Sequence, residues 1–560
     1  MARPFKLRFT AAGAAALACL SGSALGQPAN PANTLDPVQK PLPQAPAVKG
    51  SRPKSNPTVL PPAATKLDPA LQRLAAPATL ALPTKPEQVT TVELRPLGLK
   101  DIENLAEVNN PNLKAIASQV DQAQSNLRVQ LAAWYPTLGI TANGFPSYTG
   151  GQQLQAVSSG APSLSGTNRW LMTSTLSAQW NVINPQRVPQ VSAARDQFER
   201  AKNQYLIALR ELRLQASQAY FKLQVSDERV RIGQTSVRAS LVSLRDAKAR
   251  FQAGVATKLE VLEAETQLGR DQQLLADSIA EQSIARRDLA RLIDLPQNIT
   301  PTAKEPLRPL GIWQPSLQES IIAAFTFREE LDNAILDISA SNSQANSALG
   351  AVQPFMSIVN SLLATRYTGN QQVIVDLQGT YGYAVENSVG LNFKWSILDG
   401  GAARAQYRQY KQRAQENAFN FAKTRDELRF QVEQSFFLLG NSSRNIQTTS
   451  KEVQSSREAL RLARLRFQAG VTTQREVVNN QRDVTQAEIR YADALANYNS
   501  QLAELRRRTG LDLIAVCRGP QLPAIKPSTD SAEAVPVPPS PQILPCQATT
   551  VAGRTTAPAS

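Results

Sequence analysis

Few side chains in this sequence have the type and spacing to carry reaction chemistry. There is no histidine among the 560 residues, which removes imidazole bases, His-based triads and HExxH zinc sites. The three cysteines, Cys19, Cys517 and Cys546, are too few and too far apart for a four-cysteine zinc site or a disulfide scaffold. In an oxidising compartment Cys517 and Cys546 could pair or stay free thiols; the sequence leaves both open. Asp399-Gly400-Gly401 invites comparison with a phosphate cradle, but there is no GxxxxGK[ST] and no strand-to-helix glycine fingerprint. Arg506-Arg507-Arg508 could meet nucleic acid, yet its place near the end of a long charged helix reads as a solvated face. No metal, cofactor, nucleic-acid partner or enzymatic reaction is therefore expected. Function must come from shape and charge.

The elements able to supply shape come next. Hydrophobic residues make 42% of the chain and charged residues 19%, and the net charge is +15; that excess bears on solubility and attraction rather than on fold. Residues 1–26 carry Arg3, Lys6 and Arg8, then a short apolar run and Ala24-Leu25-Gly26, the pattern of a secretory signal peptide. Lipid attachment at Cys19 is the alternative. No later stretch has the roughly 18–20 apolar residues of a membrane helix, so a membrane-spanning form would have to use strands. Proline crowds into residues 27–98 and 514–560, which are expected to be disordered extensions, and again into 296–315, expected to be a linker.

That linker separates two copies of one pattern, 99–295 and 316–513. Arg250-Phe251-Gln252-Ala253-Gly254-Val255 returns as Arg466-Phe467-Gln468-Ala469-Gly470-Val471, and Trp180 to Pro185 aligns with Trp395 to Gly400. Each copy predicts a helix (99–133, 316–352), a pair of strands, and a long helical hairpin. In the strands, Met172, Leu176, Ala178, Trp180 and Val182 alternate with polar neighbours, as do Val389, Leu391, Phe393, Trp395 and Ile397. One apolar and one polar face over about ten residues suits a barrel strand between lipid and water. The partner strands are placed at 137–145 and somewhere from 355 onward, with 149–167 as an external loop. Four strands cannot close a barrel, so several chains must assemble. The helices are expected over 191–253 and 258–294, with Gly233 a place to bend, and over 402–469 and 474–509; their small-residue seams are coiled-coil-like.

Asn110-Pro111-x-Leu113, Trp395-Ser-Ile-Leu-Asp399-Gly400-Gly401 and the twin Arg-Phe-Gln-Ala-Gly-Val turns, in this order, resemble the TolC-type outer-membrane efflux protein family. The resemblance implies a fold that is mainly α with transmembrane β: a homotrimer joining four strands per subunit in a 12-stranded barrel in outer-membrane lipid above an α-helical periplasmic tunnel. It further implies a periplasmic adaptor (membrane fusion) protein and an inner-membrane ABC or RND-type pump as partners, with drugs, small toxic molecules or, as in type I secretion, proteins as cargo. A periplasmic coiled-coil adaptor or structural protein without a pore is the competing reading.

By the same resemblance, Gly254, Val255 and Ala256 with Gly470, Val471 and Thr472 form the periplasmic tip where an adaptor docks. Glu476 matches a position that lines the constriction with carboxylates, and a trimer would make of it an acidic ring that favours cations. The family's second acidic position is Asn479 here, and its locking arginine is replaced by Thr472. Lys258 or Arg475 is left to pair with Glu260 or Glu476.

Overall fold

The computed structural model describes residues 64–90, 93–155, 163–371 and 381–511. The expected leader, the stretch 27–63, the C-terminal tail from 512 and all three cysteines lie outside the described residues.

The first repeat opens on β1 (Glu93–Leu97), α1 (Leu99–Asn109) and α2 (Pro111–Ala132). The single helix expected over 99–133 is two, because Asn110 stops one and starts the next. Its side chain accepts the Leu113 amide, and Pro111 occupies a first-turn position where a missing N–H costs nothing. Strands β2 (Thr137–Gln155) and β3 (Ser163–Ile183) follow, then α3 (Arg187–Gln252) and α4 (Lys258–Leu292). After β4 (Ile299–Ala303) the order repeats as α5 (Leu317–Phe327), α6 (Glu329–Gly350), β5 (Phe355–Gln371), β6 (Tyr381–Lys394), α7 (Ala402–Gln468) and α8 (Gln474–Thr509). The second short helix also divides, at the extended backbone of Arg328.

The 66 residues of α3 span roughly 99 Å at ~1.5 Å per residue. Gly233 does not interrupt them; it is a close-approach site, where a Cβ would lie 3.2 Å from the Leu275 Cα of α4. The strands are also longer than expected. β2 runs through much of the anticipated 149–167 loop because Gly150, Gly151 and Gln152 pair in register with Asn168, Thr167 and Gly166. β6 ends at Lys394, so Trp395 and Ile397 fall beyond it. Trp395 Nε1 instead donates to the Val352 carbonyl (3.2 Å), as Trp180 Nε1 does to Trp134 (3.1 Å). In both copies one indole, on the strand or just past its end, ties the sheet to the turn after the preceding helix.

The described part of the expected disordered extension and the expected linker both carry packed structure. Within 27–98, Leu71 and Leu74 are buried in the core with Leu97, Ile102, Leu105, Leu209 and Leu289, and each such side chain contributes about 1.5–3 kcal/mol by leaving water. Within 296–315, β4 pairs in parallel with β1. The same stretch is held by Gln224 Nε2 on the Glu305 carbonyl (2.9 Å) and Asn499 Nδ2 on the Arg308 carbonyl (2.9 Å). Proline ended the helices here without preventing a short β pair, since its constrained φ suits extended backbone.

Candidate functional site: the paired helical turns and the sheet

Both long hairpins turn the same way. Gly254 (φ 75°) and Gly470 (φ 73°) adopt left-handed backbone, where a Cβ is disfavoured. Val255 N–H donates to Arg250 O and Gly254 N–H to Phe251 O, each at 3.0 Å; Val471 N–H donates to Arg466 O (2.9 Å) and Gly470 N–H to Phe467 O (3.0 Å). This paired 6→1 and 5→2 bonding is a Schellman close, and it satisfies carbonyls the helix end leaves open. The turns leave Val255 and Val471 66% and 68% exposed.

The next helices start differently. Thr257 accepts the Glu260 amide and the Glu260 carboxylate reaches back, a complete capping box. At the equivalent place Thr473 makes no side-chain cap bond, and Glu476 turns to Arg466 (2.9 Å) and to the Thr472 hydroxyl. None of the pairings left open for Lys258 and Arg475 with Glu260 and Glu476 is formed among the described residues. Arg475 reaches across to Glu263 on the other hairpin, its Nε 2.9 Å from the carboxylate, because α4 packs beside the start of α8. Arg250 lies over the Phe467 ring, 4.2 Å from its centre, so the two turns are held together. Asn479 is exposed one helical turn beyond Glu476, and Ala256 is half-buried. The partners Arg466, Glu263 and Phe467 were missed; their one sequence signal was the repeat, which places Arg466 and Phe467 opposite Arg250 and Phe251.

Asp399 explains why Gly400 and Gly401 are not a phosphate cradle. Its carboxylate accepts Gly401 N–H (2.8 Å) and Ala403 N–H (2.7 Å), filling the start of α7 itself. Those two amide bonds hold its pKa below the usual aspartate value. The arginine run is no solvated face: Arg507 is buried and meets Glu330 (3.0 Å) and Glu211 (3.7 Å), while Arg508 pairs with Glu504 (2.6 Å). Arg210, also buried, meets Glu329 at 3.1 Å. Arg210 with Glu329 and Arg507 with Glu211 join α3 of one repeat to α6 and α8 of the other.

The four long strands form one antiparallel sheet in the order β2-β3-β5-β6. Cross-strand register puts Leu138, Ile140, Leu176, Ala178, Ile358, Leu362, Val389 and Leu391 on one face, with Asn360 and Asn387 among them. The other face carries Thr141, Thr175, Ser177, Ser361, Glu386, Ser388 and Asn392. On the apolar face Tyr148 and Trp170, in ring contact at 5.1 Å, lie toward one end with Tyr381 and Tyr383, and Trp180 and Phe393 toward the other. From Trp170 to Trp180 is about 33 Å at ~3.3 Å per residue, or about 25 Å when tilted by ~40°, the height of an outer-membrane apolar band between aromatic girdles. No described helix is long and apolar enough to cross a membrane, and no cluster of metal-binding side chains occurs among the described residues.

The sequence profile described as "Outer membrane efflux protein" matches residues 103–294 and 324–511, more than half of the chain and one match per repeat. The chain belongs to the outer membrane efflux protein family. Membership makes it a transport channel rather than an enzyme, and places it in the outer membrane with its helices in the periplasm. Channels of the outer membrane efflux protein family are trimeric and work with adaptor and pump partners. A membrane protein from Pseudomonas aeruginosa shares the fold at a TM-score of 0.60 and 20% identity, over 74% of this chain and 93% of that one. The outer membrane protein VceC from Vibrio cholerae does so at 0.59 and 16% identity, over 74% and 96%. Nodulation protein T of Rhizobium leguminosarum bv. trifolii is 23% identical over 302 residues, 52% of this chain. The match spans 61% of that relative's length.

Proposed function

We propose that three copies of this chain join their sheets edge to edge into a 12-stranded barrel, continued by the long helices as a closed-wall tunnel for export. The observation carrying this reading is the sheet itself: β2 and β6 are long edges left unpaired among the described residues, and hydrocarbon tolerates no open edge. The chemistry of the wall is passive, so energy must come from partners, a periplasmic adaptor seated on Gly254-Val255-Ala256 and Gly470-Val471-Thr472 and an ABC or RND-type pump in the inner membrane. Drugs, small toxic molecules or secreted proteins are the cargo classes.

Glu476 supplies the charge at the tip. Three copies, each already paired with Arg466, would form a weakened acidic ring at the closed end, with Asn479 adding no charge. In planar bilayers the protein should conduct as a heat-dissociable trimer, and Glu476→Gln should lower block by divalent cations from the tip side by several-fold. A monomer without conductance would remove the channel; unchanged block in a conducting variant would remove only the ring.

A further inference from the structure

Just below the sheet, helices α2, α3, α6 and α7 lie side by side in that order, and together they line a cavity of about 330 Å³. That volume falls at the lower end of small-molecule sites. Its floor is small and buried: Ala193 and Ala194 of α3 and Ala348 of α6. Its walls carry carboxamides from every helix: Asn126 and Gln130 of α2, Gln190 of α3, Gln344 of α6 and Gln406 of α7, with the Tyr410 ring beside them. No charged side chain lines it. The duplication repeats a carboxamide here, since Asn126 corresponds to Gln344 at the 218-residue offset of the short helices. Within the lining Asn126 donates to Gln197 at 3.5 Å and Gln186 to the Ser347 carbonyl at 3.3 Å.

A cavity reached by both outer helices of a four-helix wall lies on the side toward which the wall curves. In a closed tube that side is the bore. We propose that this cavity is a binding site for neutral, hydroxyl-rich solutes, a saccharide being the type, at the junction of barrel and tunnel. Each carboxamide offers a donor and an acceptor without charge, which suits hydroxyls that are donors and acceptors at once, and the Tyr410 ring gives one face of a sugar an apolar surface. Ions gain nothing from such a lining. The siting in a bore rests on the trimeric channel reading; the site within each protomer does not.

The test uses the full-length trimer in a detergent without a sugar head group. Maltohexaose is titrated calorimetrically, and in planar bilayers it is added on the barrel side. Saturable binding and current block are expected, with Gln190→Ala and Gln406→Ala each weakening both about two- to tenfold, the worth of a neutral hydrogen bond. A polyethylene glycol of similar size, whose donors are limited to its terminal hydroxyls, should block more weakly. Absent binding, equal block by the glycol, or binding unchanged in both variants would overturn the proposal. A conducting trimer that ignores maltohexaose removes the site and keeps the channel; binding without conductance keeps the site and removes the channel.

Discussion

The buried ion pairs set the most specific residue-level expectations. Burial works to raise the Glu330 pKa, but Arg328 at 2.6 Å and Arg507 at 3.0 Å hold it well below the usual carboxylate range. A depressed carboxylate stabilises the fold above its unfolded pKa of about 4.3 and loses that contribution as acid protonates it. Arg507→Ala would leave Glu330 with Arg328 but without its second arginine and should cost about 1.5–3 kcal/mol, the worth of a charged hydrogen bond, read as a fall in thermal stability of the purified protein. Glu103 has the opposite sign. Burial raises its pKa despite Arg213, so its ionised form is a cost at neutral pH. Glu103→Gln should raise the melting temperature at pH 7.5, and the gain should shrink as pH falls through the raised pKa toward about 4.3, where both states are already protonated. None of these partners was legible in the sequence, because arginine and glutamate on long polar helices look alike whether they face water or another helix.

Elements were far more legible. The boundaries of α7 and α8 lie within a residue of expectation, since glycine closes and proline-free 3.6-residue periodicity are local properties. Strand length was underestimated because glycine, serine and glutamine at the outer ends resemble loop composition, whereas pairing to a neighbour is a long-range fact. The strap around Leu71, Leu74 and β1 was hidden for the same reason: proline density conceals a few anchoring leucines. The twin turns give a differential prediction. Thr257→Ala should destabilise the start of α4 by about 1 kcal/mol, and hydrogen exchange there should accelerate. Thr473→Ala should have much less effect, because Thr473 makes no side-chain cap bond.

For the whole molecule, the order of elements and the duplication were visible from repeated residues alone, and the need for several chains followed from counting strands. What stayed hidden was how the tips lock, because Arg475 with Glu263 and Arg250 with Phe467 join residues some 210 positions apart. The apolar face predicts a depth dependence: Leu176→Arg, near the middle of the band between Trp170 and Trp180, should cost about 2–4 kcal/mol of membrane insertion, and refolding into vesicles should report it. The same substitution at Leu138, nearer the lower girdle, should cost less. The cross-repeat pairs carry a consequence for biogenesis. Arg210 and Arg229 are synthesised long before Glu329 and Asp493 arrive to meet them, so the leading half must wait with buried-type surface uncovered. Until α8 has docked, a nascent chain of this design is expected to be open to proteolysis.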